Sequence, residues 1–437
     1  MIKTSTQNFP SIVTKYLQKY GSDKWSVRQE RNSLYDNIVV IPAIAEYDNI
    51  NNLLNSLKKN DRNYLLKTLI LFVINNGESV SEEIKTNNAQ TIALLEELIY
   101  NEELIIGFVD ASSEGLSMPD KDAGVGLARK IGLDLALTLL DYNSHNKKLL
   151  ICLDADCEVQ SSYLPSIVDV FNKDRIEAAV IEYEHRLPED ELSKSAIICY
   201  EIFLRYYVLG LSYANSPYAF HTVGSTMVCD YESYIKIGGM NKRKAAEDFY
   251  FLEKLAKVVS IQKISRTKVF PSSRISWRVP FGTGQRMNRF AAGTHDEFCL
   301  FDFRIFDILK EWNAYYYSDE LITVTEYLSF AGKLNPVVKN FLELNSFQDQ
   351  WKKILSNAKS IEQIRKQKKI WFDGFRTMKL IHYLRDNGFP NINMFDALDD
   401  LFVKLKIDTN IPRNESIPSI QIQQNYLQIL KEAGLAS

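Results

Sequence analysis

The sequence predicts an α/β fold, with a mostly parallel central sheet flanked by helices and a mainly helical C-terminal region. Short apolar runs of strand length alternate with helix-periodic stretches as far as residue 156. Each run ends in turn-forming or acidic residues. From about residue 300 the strand-like runs give way to amphipathic helical ones.

Taken in order, NIVVIPA (37–43) reads as the first strand, and DNINNLLNSLKK supplies the helix after it. LLKTLILFVINNG (65–77) is a second strand that stops at Gly77, followed by the helical TIALLEELIY. ELIIGFVDAS is the third strand. DAGVGLARKIGLDLALTLL (122–140) opens on glycines and continues as a helix, with Asp122 a candidate cap. LLICL is the fourth strand. Further on, AAVIEYEH (178–185) and GSTMVCD (224–230) read as strands, and TKVF ends another. Residues 190–214 and AAEDFYFLEKLAKVV (245–259) read as helices. The expected division is a helical N-terminal extension (1–35), a catalytic domain (36–299) and a mainly helical region (300–437) that shapes an acceptor site or an oligomer contact. The run RKQKK (365–369) is expected to be a solvated helix face.

With 46% apolar and 24% charged residues the chain is in the globular range, and a net charge of -3 lacks the basic footprint of a general nucleic-acid binder. The five cysteines are scattered and form no C-x-x-C pair, which points to buried thiols in a reducing compartment. The N-terminal MIKTSTQNFPSIVTKYLQKY has no continuous apolar core, so no secretory signal is expected. SAIICYEIFLRYYVLGLSYA (195–214) is the most membrane-like stretch, but Glu201 and Arg205 argue for a packed helix. The cytoplasm is the expected location, with a peripheral position at the inner face of the membrane as the alternative.

In LICLDADCE (150–158) an apolar strand runs into Asp154 and Asp156. Two like charges this close need a cation near them, and the first candidates are Mn2+ or Mg2+ and the phosphates such an ion carries. Ligands of open α/β sheets sit beyond the carboxyl ends of the strands, so Pro42–Glu46, Asn75–Glu78 and Asp154–Asp156 should converge on one rim. His295 is the candidate third metal ligand and His221 its alternative. Glu247 and Asp248 start a helix, where an acidic pair also suits the helix dipole.

The ordered set VVIPAIAEYDNI, VINNGES, GVGLARKIGLDLA, LDADCE, GSTMVCD, IGGMNKRKAAEDFYFLEKL and QRMNRF resembles the family 2 glycosyltransferases of the GT-A fold, over about residues 36–290. The resemblance implies a GT-A-like sheet and a nucleotide-diphosphate sugar donor, with UDP- or GDP-sugars foremost. Pro42 and Ala43 would lie against the nucleoside, and Glu46 would face the ribose or a basic neighbour. Asn75 and Asn76 stand where the family commonly has aspartates and would accept from the base. Arg129 would contact the diphosphate or ribose side, and Gly124 and Gly126 would admit a close backbone approach. Asp156 would be the more direct metal ligand, with Asp154 on the ribose or on a metal-bound water. Asp248 would deprotonate the acceptor hydroxyl and Glu247 would orient donor or acceptor. Gln285, Arg289 and Phe290 resemble a Q-x-x-R-W motif with one additional residue between Gln and Arg and with Phe for Trp, and Arg274, Arg278 and Arg286 form a cationic set for leaving phosphates.

The implied activity is an inverting, metal-dependent transfer to a glycan, lipid-linked or small-molecule hydroxyl acceptor. A retaining transferase on the same fold and a catalytically silent scaffold are the alternatives. A nucleotidyltransferase is disfavoured because IPAIAEYD carries no Lys or Arg for a triphosphate. The sequence names neither the acceptor nor the oligomeric state.

Overall fold

The computed structural model of the chain describes residues 9–31, 33–100, 103–274, 282–409 and 411–436. Nine strands form the main sheet: β1 (Val27–Gln29), β2 (Asn37–Ala43), β3 (Thr68–Asn75), β4 (Ile105–Ala111), β5 (Leu149–Cys152), β6 (Glu158–Val159), β7 (Ala178–Tyr183), β8 (Met227–Asp230) and β9 (Ile261–Phe270). Their order is β1-β4-β3-β2-β5-β8-β7-β9-β6.

The stretch β4-β3-β2-β5 is parallel, as the alternation of apolar runs and helices predicts. β2, β3 and β4 are buried along their whole length, which suits a parallel sheet covered on both faces. Beyond β5 the sheet becomes mixed. β8 pairs antiparallel with both β5 and β7, β9 is parallel to β7, and β1 and β6 add antiparallel edges. This mixed sheet flanked by helices, with a separate mainly helical region, is GT-A-like.

The Val125–Ala136 helix lies on β2 and β3. Gly132 makes the contact close, since a Cβ there would stand 2.4 Å from Val40 Cγ1 and 2.8 Å from Val73 Cγ2. The helix begins at Val125 after Gly124, so Asp122 is not its cap.

The chain divides into two compact units, and the division is not a cut at residue 299. One comprises the described parts of Met1–Arg186 and Thr222–Gly284, the other Leu187–His221 and Gln285–Ser437. The N-terminal segment belongs to the first unit, and it is one helix (Ser11–Tyr20) followed by the edge strand β1. Tyr16 on that helix donates to Asp134 (2.8 Å), which also accepts from Tyr234 (2.6 Å) and pairs with Lys130 (2.7 Å). Gly239 turns with φ of 75° under Tyr16, whose hydroxyl leaves no room for a Cβ.

In the second unit the Glu191–Tyr213 helix packs against the Ile420–Ala436, Arg304–Tyr316 and Met394–Leu405 helices. By length and composition it could cross a membrane, but 61% of its apolar window is buried inside the protein. It also carries a buried Glu201–Arg205 pair at 3.4 Å. The core is aromatic, with Trp312, Tyr316, Tyr327, Phe347, Trp351, Trp371 and Phe372 in one cluster. RKQKK is only partly a solvated face. Arg365, Lys366 and Lys369 are exposed, whereas Lys368 turns inward, donates to the Ser318 carbonyl (2.6 Å) and faces the rings of Tyr316, Tyr327 and Trp351.

Candidate functional site

In the first unit Arg129 joins the turn after β5 to the start of the Glu247–Ala256 helix. Its guanidinium donates through Nη2 to Asp154 and through Nη1 to Glu247. The side chain is only 2% exposed, so this is a buried salt bridge with two acceptors, and each partner depends on it for charge balance. Burial opposes the charge on Arg129, but Asp154 and Glu247 beside it hold the guanidinium protonated. Gly224, which opens the GSTMVCD stretch, makes the seat: a Cβ there would lie 2.5 Å from Nη2 and 2.6 Å from Nη1.

Arg129 therefore does not stand open toward a diphosphate. It ties the aspartate of the D-x-D element to the acidic pair, a role the sequence reading did not contain.

Glu247 and Asp248 follow Ala246, a non-glycine residue in the left-handed region (φ 57°). Asn241 donates to the Glu247 carbonyl (2.9 Å), and Asp248 Oδ1 accepts from the Phe249 amide (2.7 Å). Burial pushes the Glu247 carboxyl up to about 7, with Arg129 opposing and Asp248 adding to the rise. Burial raises Asp248 as well.

Gly124 and Gly126 do allow a close backbone approach, but to the chain itself. A Cβ on Gly124 would meet Lys244 Cα at 2.6 Å, and one on Gly126 would meet the Arg243 carbonyl oxygen at 2.3 Å. The two glycines let the 241–246 loop lie against the helix that carries Arg129, and so set the position of Glu247.

A second guanidinium serves the other aspartate. Arg274 Nη2 bonds Glu46 Oε1 and lies 3.0 Å from Asp156 Oδ2. Glu46 is buried and also accepts from Asn49 Nδ2 (2.6 Å). Its neighbour Ala45 is left-handed (φ 51°). Glu46 thus faces a basic neighbour, one of the two expected partners, and the residue is Arg274. Burial pushes Asp156 up to about 6; Arg274 opposes this, and Glu46 and Asp154 reinforce it.

Asn75 and Asn76 are buried at the end of β3. The Asn75 amide group faces the carbonyls of Val73 and Ala43, and the orientation that satisfies them places its nitrogen 3.1 and 3.2 Å away. Asn76 donates to the Gly77 and Ser112 carbonyls and accepts from Asn88 Nδ2 (2.8 Å). A buried amide must find its partners inside the protein, and here they are strand ends. Asn88 is the residue the sequence reading missed: it also accepts from the Ala45 amide (2.9 Å) and donates to the Asn75 carbonyl (3.2 Å). Its signal was available, since Asn88, Thr91 and Leu95 share the buried face of the Glu82–Leu98 helix. Pro42 and Ala43 lie within β2, buried.

Gln285 and Arg289 lie on the Thr283–Ala292 helix and belong to the second unit. Arg289 and Arg286 both pair with the buried Glu297, at 2.9 and 2.7 Å. Phe290 packs against Ala196, Ile197 and Met287 and meets Phe298 edge-on. Arg278 lies outside the described residues.

Asp154 and Asp156 are hard oxygen donors on one rim, with 34% and 23% of their side-chain surface reachable by solvent. That donor set fits Mg2+ or Mn2+, which take one or two carboxylates and complete their shell with phosphate oxygens and water. No group of three His, Cys, Asp or Glu side chains able to hold a metal occurs among the described residues. His295 is exposed in the second unit beside Thr294 Oγ1 (2.9 Å), and His221 belongs to that unit too.

No family model and no curated protein matches the sequence. Among solved structures the chain is similar to the crystal structure of S. aureus TarS 1-349 in complex with UDP-GlcNAc, at 14% identity and a TM-score of 0.39, covering 77% of this chain and 91% of that one. It is also similar to the mannosyltransferase PcManGT from Pyrobaculum calidifontis in complex with GDP-Man and Mn2+, at 12% identity and 0.37, covering 96% and 91%. A third is GalNAc-T7 with UDP, GalNAc and Mn2+, at 16% identity and 0.35, covering 60% and 48%. Likenesses this distant assign neither a family nor an activity.

Proposed function

We propose that the chain is an inverting, metal-dependent glycosyltransferase that moves a sugar from a nucleotide-diphosphate sugar, UDP- or GDP-linked, to a hydroxyl acceptor. The observation that carries this reading is the buried Arg129 bridge, which joins a strand-end aspartate to an acidic pair at a helix start. A sugar transfer needs both: a place for the diphosphate leaving group and a base for the incoming hydroxyl.

Asp154 and Asp156 would hold Mn2+ or Mg2+, which when bound supplies positive charge to the departing diphosphate. Asp248 accepts the acceptor's hydroxyl proton while that oxygen bonds to the anomeric carbon. The bond from that carbon to the diphosphate breaks, and its electron pair leaves with the nucleotide. A carboxylate whose pKa is raised by burial is a better base at neutral pH than an exposed aspartate. Arg129 keeps Glu247, next to the base, at a fixed position relative to Asp154, and positioning of this kind accounts for much of a transferase's rate.

Calorimetric titration with UDP-, GDP-, dTDP-, ADP- and CMP-sugars, with and without Mn2+, tests the reading. Wild type should bind one donor in a metal-dependent way, and D156A should lose that binding. If wild type binds none of them, the donor-site reading is wrong.

A further inference from the structure

The two arginines of the site differ in one respect that decides what each can do. Arg129 is enclosed, 2% exposed and seated against Gly224, so it cannot leave its carboxylates without disturbing the fold. Arg274 is 33% exposed. A single nitrogen, Nη2, serves both Glu46 Oε1 and Asp156 Oδ2. It stands where a small cation shared by the two oxygens would stand. A divalent ion bound to Asp156 at about 2.1 Å would meet that guanidinium at close range, and two positive charges on one carboxylate repel.

We propose that Arg274 is a resident counter-cation for Asp156, and that it competes with the divalent ion until an incoming diphosphate draws the guanidinium away. Metal alone then binds weakly, and metal together with a nucleotide diphosphate binds well. The proposal deepens the donor-site reading and takes the identity of the ion from it. A merely structural ion pair predicts otherwise, because its removal would leave Glu46 and Asp156 less well held and no better at binding metal.

The test is Mn2+ binding to the full chain with no nucleotide, read from the loss of the free-ion paramagnetic resonance signal. R274Q should bind Mn2+ about tenfold or more tighter than wild type, the change expected on removing one positive charge within ~4 Å of the ion. R274K keeps the charge and should stay nearer wild type. R274M, of similar length and uncharged, replaces R274Q should the glutamine variant not fold. Equal Mn2+ affinity in wild type and the uncharged variant would overturn the proposal, as would weaker binding in the variant. A separate titration with UDP and GDP in the presence of Mn2+ keeps the two ideas apart. A gain in metal affinity without nucleotide binding in any variant leaves the Arg274 competition standing and removes the donor site. Nucleotide binding without that gain does the reverse.

Discussion

Arg129 is the residue on which most of the site's electrostatics turn. Removing it leaves Asp154 and Glu247 unbalanced in a buried place, a change that typically costs about 3–5 kcal/mol. R129A should therefore lower the thermal midpoint by several degrees as well as abolish transfer, whereas R129K should recover stability better than turnover because an ammonium cannot bond both carboxylates in the same planar geometry. Glu247 gives a pH prediction whose sign can be fixed. Its carboxyl is raised from the ordinary 4.5 to about 7, so the folded chain holds a proton that the unfolded chain releases. Stability from this group is intact below about 4.5 and is lost as pH rises toward 7. E247Q should flatten that part of the fall, checked by melting wild type and variant between pH 4 and 8. At this scale the sequence showed where the carboxylates stand, since Asp154 and Asp156 follow a strand and Glu247 and Asp248 open a helix. It did not disclose their partners. Arg274 is far along the chain from Glu46, and only the folded sheet brings them together. The intramolecular partners of Asn75 and Asn76 were hidden for a related reason: a polar side chain at a strand end reads the same in sequence whether it faces a ligand or a backbone carbonyl.

Among the elements, the Val125–Ala136 helix does two jobs with two glycines. At Gly132 it approaches the sheet, and at Gly126 it receives the 241–246 loop. G132A should destabilise by about 1–3 kcal/mol through overpacking against Val40 and Val73, measurable by denaturant unfolding. G126A should act differently, because the atom it meets is a backbone oxygen next to the loop that sets Glu247. We expect it to lower transfer well before it lowers the melting temperature. The strands and helices themselves were legible, since a continuous apolar run bounded by turn residues has few other ways to fold. The purpose of the glycines was not, because the partner that fills the missing side chain's space comes from a distant part of the chain.

For the molecule as a whole, the division into units is the feature that the sequence concealed. The Glu191–Tyr213 helix falls in the middle of the sheet-forming segment, yet its packing partners are the C-terminal helices. A chain truncated after residue 299 would keep this helix and lose the surfaces that cover it. It should aggregate on expression, as judged by size-exclusion chromatography, and a soluble monomer would contradict this account. The buried Lys368 belongs to the same unit, and burial lowers its pKa. K368M should move the thermal midpoint little, because relief from desolvating a charge is offset by the hydrogen bond lost at the Ser318 carbonyl.

The interleaving of the two units also bears on how the chain is made. Glu191–Tyr213 is synthesised roughly 200 residues ahead of the Ile420–Ala436 helix that packs on it. Synthesis proceeds at roughly 5–20 residues per second, so this apolar helix waits on the order of 10–40 s for its cover. During that interval it presents nascent-chain chaperones with a long greasy surface, and the yield of folded protein becomes a question of who holds that helix while the rest is synthesised.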